Sequence, residues 1–381
     1  MKPILFLFVA APLFAGCSSS ELALTVENAS SLNRENEMVE VPWDELQKKW
    51  NETDAESIIV TDQSAKQIPY QWITEGVGSI SKLIFLASVK AGAKAVFKIK
   101  KGKSETFATR VYGRLVPERK DDFAWENNRV AFRIYGPALE ATGEISNGMD
   151  FWAKNTDSLV IDKWYKNDLA GIASYHEDHG EGLDFYKVGR TLGLGMTAPY
   201  IGDSLRLGNN FIAATILDRG PLRLTFELKY KPYAAGSKTI TETRVISLDA
   251  YSRLNKIEQT FVVSDGTDIP VATGIVMQQP ADYAADVIFS EPQKGIMAYE
   301  LQPDSANGTI YTGVINPASF SEIKTGEGHL LGINNCVSGS KYVYYAGGAW
   351  SKAGFRSFEE WVGFLVNRQA ELGSPLKVRI R

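Results

Sequence analysis

The sequence predicts an all-β protein, a supersandwich of two large packed antiparallel sheets. Short runs rich in Val, Ile, Thr, Tyr and Phe alternate apolar and polar residues, and Gly, Asn, Asp or Pro bound most of them. Few helix-length segments separate these runs, so parallel strands with crossover helices are not expected. No repeat of ~20–50 residues is present, which disfavours a propeller or a β-solenoid.

The first residues are typical of an export signal rather than of a fold. Lys2 precedes an apolar run that is shorter than the ~20 residues of a transmembrane helix. Small residues then lead to Cys17, as in a lipoprotein processing site. We therefore expect a signal peptide over 1–16, lipidation of Cys17 and a tether over 17–30. The alternative is an ordinary signal peptide followed by an unmodified cysteine.

This pattern predicts an exported lipoprotein, anchored at the periplasmic face or outer membrane of a Gram-negative bacterium. The mature chain is expected to form a single β domain over 31–381, because no linker-like stretch divides it. With about 20 strands, it is larger than an immunoglobulin-type sandwich of ~100 residues.

The individual elements follow from the same periodicity, taken in chain order. A short helix is expected over Asp44–Lys49, and a longer helix begins at the capping box of Ser357 and Glu360 and ends near Leu372. The strands are expected at Lys82–Val89, Ala95–Lys100, Phe107–Tyr112, Val130–Tyr135, Leu222–Tyr230, Lys238–Leu248, Asn255–Val263, Ile296–Leu301, Thr309–Ile315, Tyr342–Ala346 and Leu376–Ile380.

Composition excludes several classes of function. The net charge of −4 gives no reason to expect a nucleic-acid partner. Two cysteines are too few for a cysteine-based zinc module or a disulfide scaffold. The absence of phosphate-loop, dinucleotide, GxSxG and HExxH motifs argues against the corresponding chemistries. No cofactor is predicted, although a divalent metal remains open.

The first polar cluster runs from Glu118 to Arg129 and continues into the strand that carries Arg133. In a strand, Arg133 and Tyr135 share a face, and the planar fork of an arginine suits a carboxylate. Candidate substrate-binding residues in this cluster are Arg119, Trp125, Glu126 and Asn127. A charged loop with local salt bridges is the alternative for Glu118–Asp122.

The second cluster, Tyr175–Gly189, holds two of the three histidines. Histidine exchanges protons near neutral pH, so His176 is a candidate acid or base, with Tyr175 beside it. A metal site is a weaker possibility, since the spacing fits no standard zinc pattern. Its candidate ligands are His176, Asp178, His179, Glu181 and Asp184. Purely structural polarity is the third possibility.

A third stretch interleaves aromatic and basic residues, with Trp152, Lys154 and Trp164 as candidate contacts to a sugar ring and an acidic substituent. Rings packed in the core, with the lysine in solvent, would explain the same pattern equally well.

Four strings carry a resemblance to a known family: RLVPERKDDFAWENNRVAFRIYGPAL, NGMDFWAK, YHEDHGEGLDFYKVGRTLGLG and GGAWSKAGFRSFEEWVGFL. They resemble a family of exported bacterial proteins catalogued as a domain of unknown function, over nearly all of the mature chain. The chain is also similar to dehydratases that act on uronic-acid oligosaccharides from ulvan-type polysaccharides. The resemblance implies a galactose-mutarotase-like β-supersandwich with a C-terminal helix, a fold that does not settle the reaction.

The residues themselves support β-elimination from a uronic acid by a lyase or dehydratase. That reaction needs a group to neutralise the carboxylate, a base, and an acid for the leaving oxygen. Arg133 or Arg119 with Asn127 could supply the first and His176 the second. Tyr175 or Tyr135 could supply the third.

Two other functions remain open at this point. A glycoside hydrolase could pair Glu126 with Glu181 or Asp184. A non-catalytic surface glycan-binding lipoprotein would depend on Trp125, Trp152 and Trp164.

Overall fold

The structure is a computed structural model that describes residues 21–50, 57–278, 287–301 and 303–381. The expected signal peptide and Cys17 lie outside the described residues, so export and lipidation stay predictions. The helices are α1 Trp43–Lys49, α2 Pro137–Glu140, α3 Ile161–Leu169 and α4 Phe358–Gly373.

The first strands are β1 Glu21–Glu27, β2 Arg34–Pro42, β3 Ile58–Thr61, β4 Gln67–Ile68, β5 Tyr70–Ile73, β6 Lys82–Val89, β7 Lys94–Lys101, β8 Val111–Val116, β9 Asp122–Asn127, β10 Ala131–Ile134, β11 Asp150–Lys154, β12 Gly182–Leu183 and β13 Leu194–Pro199. The remaining strands are β14 Phe211–Arg219, β15 Arg223–Tyr230, β16 Tyr233–Ala235, β17 Lys238–Asp249, β18 Leu254–Val263, β19 Ile269–Val276, β20 Ile288–Glu291, β21 Ile296–Glu300, β22 Ile310–Ile315, β23 Glu322–Gly326, β24 His329–Cys336, β25 Lys341–Trp350 and β26 Lys377–Ile380.

The largest part of the fold is a sandwich of antiparallel sheets, which confirms the all-β prediction. One layer is a nine-stranded sheet in the order β14-β15-β17-β18-β25-β22-β21-β20, with β16 paired to β17. The facing layer consists of the sheet β12-β11-β10-β9-β8 and the sheet β13-β19-β24-β23. A parallel bridge between Met149 and Gly193 connects these two sheets.

Alternation along the strands fills the space between the layers. Phe123 and Trp125 of β9 pack on Phe226 of β15, with ring centroids 4.1 and 4.9 Å apart. Leu224 and Leu228 complete the same buried row. Burial of such rings is the main source of stability for the sandwich.

A small sandwich, formed by β1–β7 with β26, has a core of its own. Its sheets are β26-β1-β7-β3-β4 and β2-β6-β5. In β1 the side chains of Leu22, Leu24 and Val26 are buried, so residues 21–27 belong to the fold. The expectation that 17–30 is wholly a tether is therefore wrong from residue 21 onward. The expectation of one undivided β domain overlooked this separate core.

The C-terminal helix has the predicted cap. Ser357 Oγ accepts a hydrogen bond from Glu360 N at 3.3 Å, and α4 then lays Trp361 and Leu365 against β21 and β22. The predicted helix over Asp44–Lys49 and final strand are also present. The strand expected at Phe107–Tyr112 instead begins at Val111, and α3 was not expected at all.

None of the helices in the described ranges is both long enough and apolar enough to cross a membrane.

Candidate active site

The candidate site lies on the outer face of the β8–β12 sheet, which points away from the sandwich core. Phe123 and Trp125 point into the core, so Asp122, Ala124 and Glu126 point outward. Ala131 pairs with Glu126, and Arg133 pairs with Ala124, which puts Arg133 on the same outer face. The predicted sharing of one face by Arg133 and Tyr135 fits this register.

Helix α3 and the loop after it cover part of this outer face. Trp164 of α3 stacks on Trp152 of β11 at 5.7 Å, and Trp152 stacks on Tyr175 at 5.0 Å. The interplanar angles are 20° and 18°, so the three rings form a nearly parallel row, here called the ring row. The row buries polar groups that would otherwise face water.

Arg133 is the centre of a buried network beside the ring row. Its Nε and Nη2 atoms donate to Asp150 Oδ2 at 2.9 and 2.5 Å, and Nη2 also donates to Asp184 Oδ2 at 2.9 Å. Its Nη1 donates to Tyr175 Oη at 3.2 Å and lies 3.9 Å from Asp122 Oδ2. Most of the donors of the guanidinium are thus occupied by protein groups.

Burial shifts the proton affinities of these groups. Burial, and then the neighbouring Asp150 charge, raise the pKa of Asp184 well above its usual range. Burial also raises the pKa of Asp150, although Arg133 opposes the shift. Burial is also the main cause that raises the pKa of Asp122 to about 6. Arg133 faces all three carboxyls, so its single charge cannot balance them, and burial favours their neutral forms.

A cleft of about 540 Å³ opens onto this network. Its lining residues come from β10 and the residue after it, from the loops on either side of β12 and from the turn at Asp304. They are Arg133, Tyr135, His176, Asp184, Phe185, Tyr186, Lys187, Val188, Gly189 and Asp304.

His176 lies at the rim of the cleft and is oriented by Asp184. Its Nδ1 is 3.0 Å from the Asp184 carbonyl oxygen and 3.6 Å from Asp184 Oδ2. When Nδ1–H donates to that carbonyl, the neutral ring carries its lone pair on Nε2. More than half of the side chain is exposed, so Nε2 is accessible to a ligand.

A glycine permits the close packing that places Asp184. Gly182 has φ of +121°, and a Cβ atom there would lie 2.0 Å from the carbonyl oxygen of Ala153. Only glycine therefore lets β12 approach β11 at this point.

The structure brings three of the four predicted catalytic residues to the cleft: Arg133, Tyr135 and His176. Tyr175 is adjacent: its hydroxyl accepts a hydrogen bond from Arg133, but its ring is buried in the ring row and does not line the cleft. Arg119 is half-buried next to Tyr175, and it is not among the residues lining the cleft.

Five predicted substrate-binding residues belong to the interior, which corrects their assignment. Trp125 is in the sandwich core, where its Nε1 donates to Asn255 at 2.7 Å. Glu126 and Lys154 are a closed ion pair with no exposed surface, at 2.5 Å. Asn127 donates to the carbonyls of Asp249 and Ser252, and Trp152 is the middle ring of the ring row. These side chains expose no atoms that a sugar could reach.

The candidate metal ligands do not converge. Asp178 Oδ1 accepts from Gly180 N and Gly182 N, His179 contacts the Ser174 carbonyl, and Glu181 pairs with Lys163. Asp184 binds Arg133 instead. Across the described ranges, no group of three or more His, Cys, Asp or Glu residues is arranged to hold a metal ion.

Several residues at the site were missed by the sequence argument. Asp150, Tyr186 and Lys187 were not predicted as site residues from the sequence. Strand alternation could have placed Asp150 opposite Arg133, its register partner. Asp304 is distant in sequence, and no local pattern connects it to the cleft.

Comparison with known proteins gives a family match over nearly the whole chain. The family described as domain of unknown function DUF4861 matches residues 26–378. A protein of Formosa agariphila named Uncharacterized protein P7 is 31% identical over 403 residues, and the alignment covers all of both chains.

Two solved structures from Enterococcus faecalis have a similar fold. One is an alpha-mannosidase, with a TM-score of 0.54 and 11% identity, matched over 95% of this chain and 46% of its own. The other is a protein in glycosyl hydrolase family 38, with a TM-score of 0.53 and 12% identity, matched over 95% and 48%. This chain spans slightly under half of each structure. At such identities the likeness shows the β-rich sandwich fold alone.

Proposed function

The chain belongs to the DUF4861 family, and we propose that it is a carbohydrate-active lyase or dehydratase. Its proposed reaction is β-elimination from uronic-acid-containing oligosaccharides. The observation that carries the proposal is the convergence of His176, Tyr135 and Arg133 on one cleft of about 540 Å³. The fold shared with two glycan-acting structures is consistent with a saccharide substrate.

His176 is the proposed base. With Nδ1 held by Asp184, the exposed Nε2 takes the proton next to the substrate carboxylate. Tyr135 is the proposed acid. Its hydroxyl donates to Asp150 Oδ2 at 3.4 Å, and burial raises its pKa well above its ordinary value, so it stays protonated. The phenol can then give its proton to the leaving oxygen.

Lys187 is the proposed partner of the substrate carboxylate. Among the described residues, the basic side chains that line the cleft are those of Arg133 and Lys187. Arg133 is already paired with Asp150 and Asp184. Lys187 is exposed. Arg133 is therefore a positioning residue, which holds Asp184 and through it His176. This replaces its expected role as a direct clamp on the carboxylate.

The test follows product formation from a panel of uronate oligosaccharides. Elimination should produce the ultraviolet absorbance of an unsaturated uronate, and His176→Ala should reduce kcat by about 10²–10⁴-fold. Lys187→Ala should mainly raise KM, whereas Lys90→Ala, an exposed lysine of the small sandwich, should change neither constant. No unsaturated product from any member of the panel would overturn the lyase proposal.

Hydrolysis is the second candidate, supported by a different carboxyl pair from the predicted one. Glu126 is locked to Lys154, but Asp184 and Asp304 both line the cleft. Burial raises the pKa of Asp184 well above its ordinary value, which favours the acid form that a general acid requires. New reducing ends without unsaturated product, lost in Asp304→Asn, would select this mechanism.

Binding without either product would instead support a glycan-binding protein, with the cleft rather than Trp125 or Trp152 as its contact surface. No cofactor is part of any of these proposals. We also propose that the protein is exported and anchored through lipid on Cys17, at the periplasmic face or outer membrane. Cys17→Ala should release it from the membrane fraction.

A further inference from the structure

A second cavity, here called the side pocket, has a volume of about 240 Å³. It lies between α3 and the loop that follows it. Its lining residues are Lys163, Trp164, Asn167, Ala173, Ser174, Tyr175, Glu177, His179, Glu181 and Gly182. Because ligand sites for larger molecules span ~300–1,000 Å³, this cavity suits a single sugar ring rather than a chain.

The side pocket and the cleft are neighbours. Tyr175, Glu177 and His179 line the side pocket, whereas the intervening His176 lines the cleft. Tyr175 Oη also bonds directly to Arg133 of the cleft. Two adjacent units of one oligosaccharide could therefore occupy the two cavities.

Charge distinguishes the two cavities. In the side pocket Lys163 is paired with Glu181, and Glu177 has no ion-pair partner within the described ranges. The fixed charges there sum to a negative value, which disfavours an anionic group. The cleft instead offers Lys187, together with Asp184, whose pKa burial raises toward the neutral form.

Some polar groups of the side pocket have hydrogen-bonding capacity left for hydroxyls. In the described structure the side-chain amide of Asn167 makes no hydrogen bond, although its backbone oxygen accepts from Ile172 N at 2.8 Å. His179 uses Nε2 to contact Ser174 O at 3.1 Å, which leaves Nδ1 available. Ring edges of Trp164 and Tyr175 supply apolar contact. Carboxylate acceptors, an amide and aromatic carbon together suit an uncharged, hydroxyl-rich ring.

We propose that the side pocket binds an uncharged sugar unit next to the uronate in the cleft. The preferred substrate is then an oligosaccharide in which an anionic unit adjoins a neutral one. This inference rests on the proposed function for the position of the uronate. The preference for a neutral unit is inferred from the residues that line the side pocket.

Calorimetric binding separates the two ideas, because it does not require turnover. The probes are a free uronic acid, a uronate linked to a neutral hexose or deoxyhexose, and a diuronate. The uronate–neutral disaccharide should bind at least about 10-fold more tightly than the diuronate. Asn167→Ala should weaken that disaccharide by about 3- to 10-fold and leave the free uronate unchanged. Glu177→Gln should improve diuronate binding.

The outcomes distinguish failure of the side-pocket inference from failure of the proposed reaction. Equal affinity for the two disaccharides, or no effect of Asn167→Ala, would overturn the side-pocket inference while elimination could still be observed. The expected binding pattern without unsaturated product would overturn the reaction and keep the pocket. Failure of all three probes to bind would overturn both.

Discussion

Replacing Lys154 with methionine should destabilise the protein without acting on catalysis directly. Lys154 Nζ donates to Glu126 Oε2 at 2.5 Å, to Asn127 O at 2.8 Å and to Ser158 O at 2.8 Å. All three ammonium donors are thus used in a site with no exposed side-chain surface. Methionine fills a similar volume but leaves the Glu126 carboxylate without its cation.

The expected loss is about 3 kcal/mol in the free energy of unfolding. Removing one partner of a buried ion pair costs ~3–5 kcal/mol, because the remaining charge is uncompensated. The lower end applies here since Glu126 Oε1 still accepts from Val160 N at 2.7 Å and Ile161 N at 2.8 Å. These two bonds also hold the start of α3.

Urea denaturation followed by tryptophan fluorescence measures this loss. The control is Lys163→Met, because the Lys163–Glu181 pair is partly exposed and should contribute less than ~1 kcal/mol. Adding Glu126→Gln to Lys154→Met should restore part of the stability, since a neutral amide needs no counterion.

The loss should also depend on pH. Burial raises the pKa of Glu126 in the folded protein, and removing Lys154 takes away an opposing effect. The folded state then binds a proton more tightly than the unfolded chain, so stability falls as pH rises. The deficit should be smaller near pH 5 than near pH 8. A loss below ~1 kcal/mol, or one equal to the control, would refute this account of the buried pair.

Three further predictions concern single sites. Burial raises the pKa of Asp122 to about 6, so the contribution of Asp122 to stability is full below about pH 4 and is lost as pH rises through 6. Asp122→Asn should flatten that fall when the free energy of unfolding is measured by denaturation across pH. An unchanged slope would contradict the shift. Gly363 lies exposed within α4, with open space where a Cβ atom would be. Gly363→Ala should therefore stabilise the protein by about 1 kcal/mol, measured by thermal unfolding, and a destabilised variant would contradict this prediction. At Gly136 a Cβ atom would lie 1.9 Å from the Asp121 carbonyl oxygen, so Gly136→Ala should cost about 3 kcal/mol by the same measurement, whereas a neutral result would show that the turn can move.

Local patterns predicted most of the fold because period-two alternation and capping are properties of neighbouring residues. The strand Lys82–Val89 and the cap at Ser357 both follow from a few consecutive side chains. Helix α3 was missed although Ile161, Trp164 and Tyr165 fall at helical spacing, because the helix has only nine residues. Trp164 was interpreted as a contact to a sugar, whereas it packs on Trp152.

The site was predicted in part for the same reason. Alternation put Arg133 and Tyr135 on one face, and the rarity of histidine pointed to His176. Alternation could not show which of the two neighbours, Trp125 or Glu126, faces the core and which lies beneath α3. Nor could it show that Lys154 closes on Glu126, because that contact joins different strands.

The pairing of the first and last strands has a consequence for synthesis of the chain. One edge of β1 pairs with β7, but the other pairs with β26, with Leu24 opposite Ile380. The ribosome therefore releases β1 long before its second partner exists. At ~5–20 residues per second, the roughly 350 intervening residues leave that edge unpaired for about 20–70 s. An unpaired strand edge templates association with other chains, so loss of the final five residues would make this transient hazard permanent.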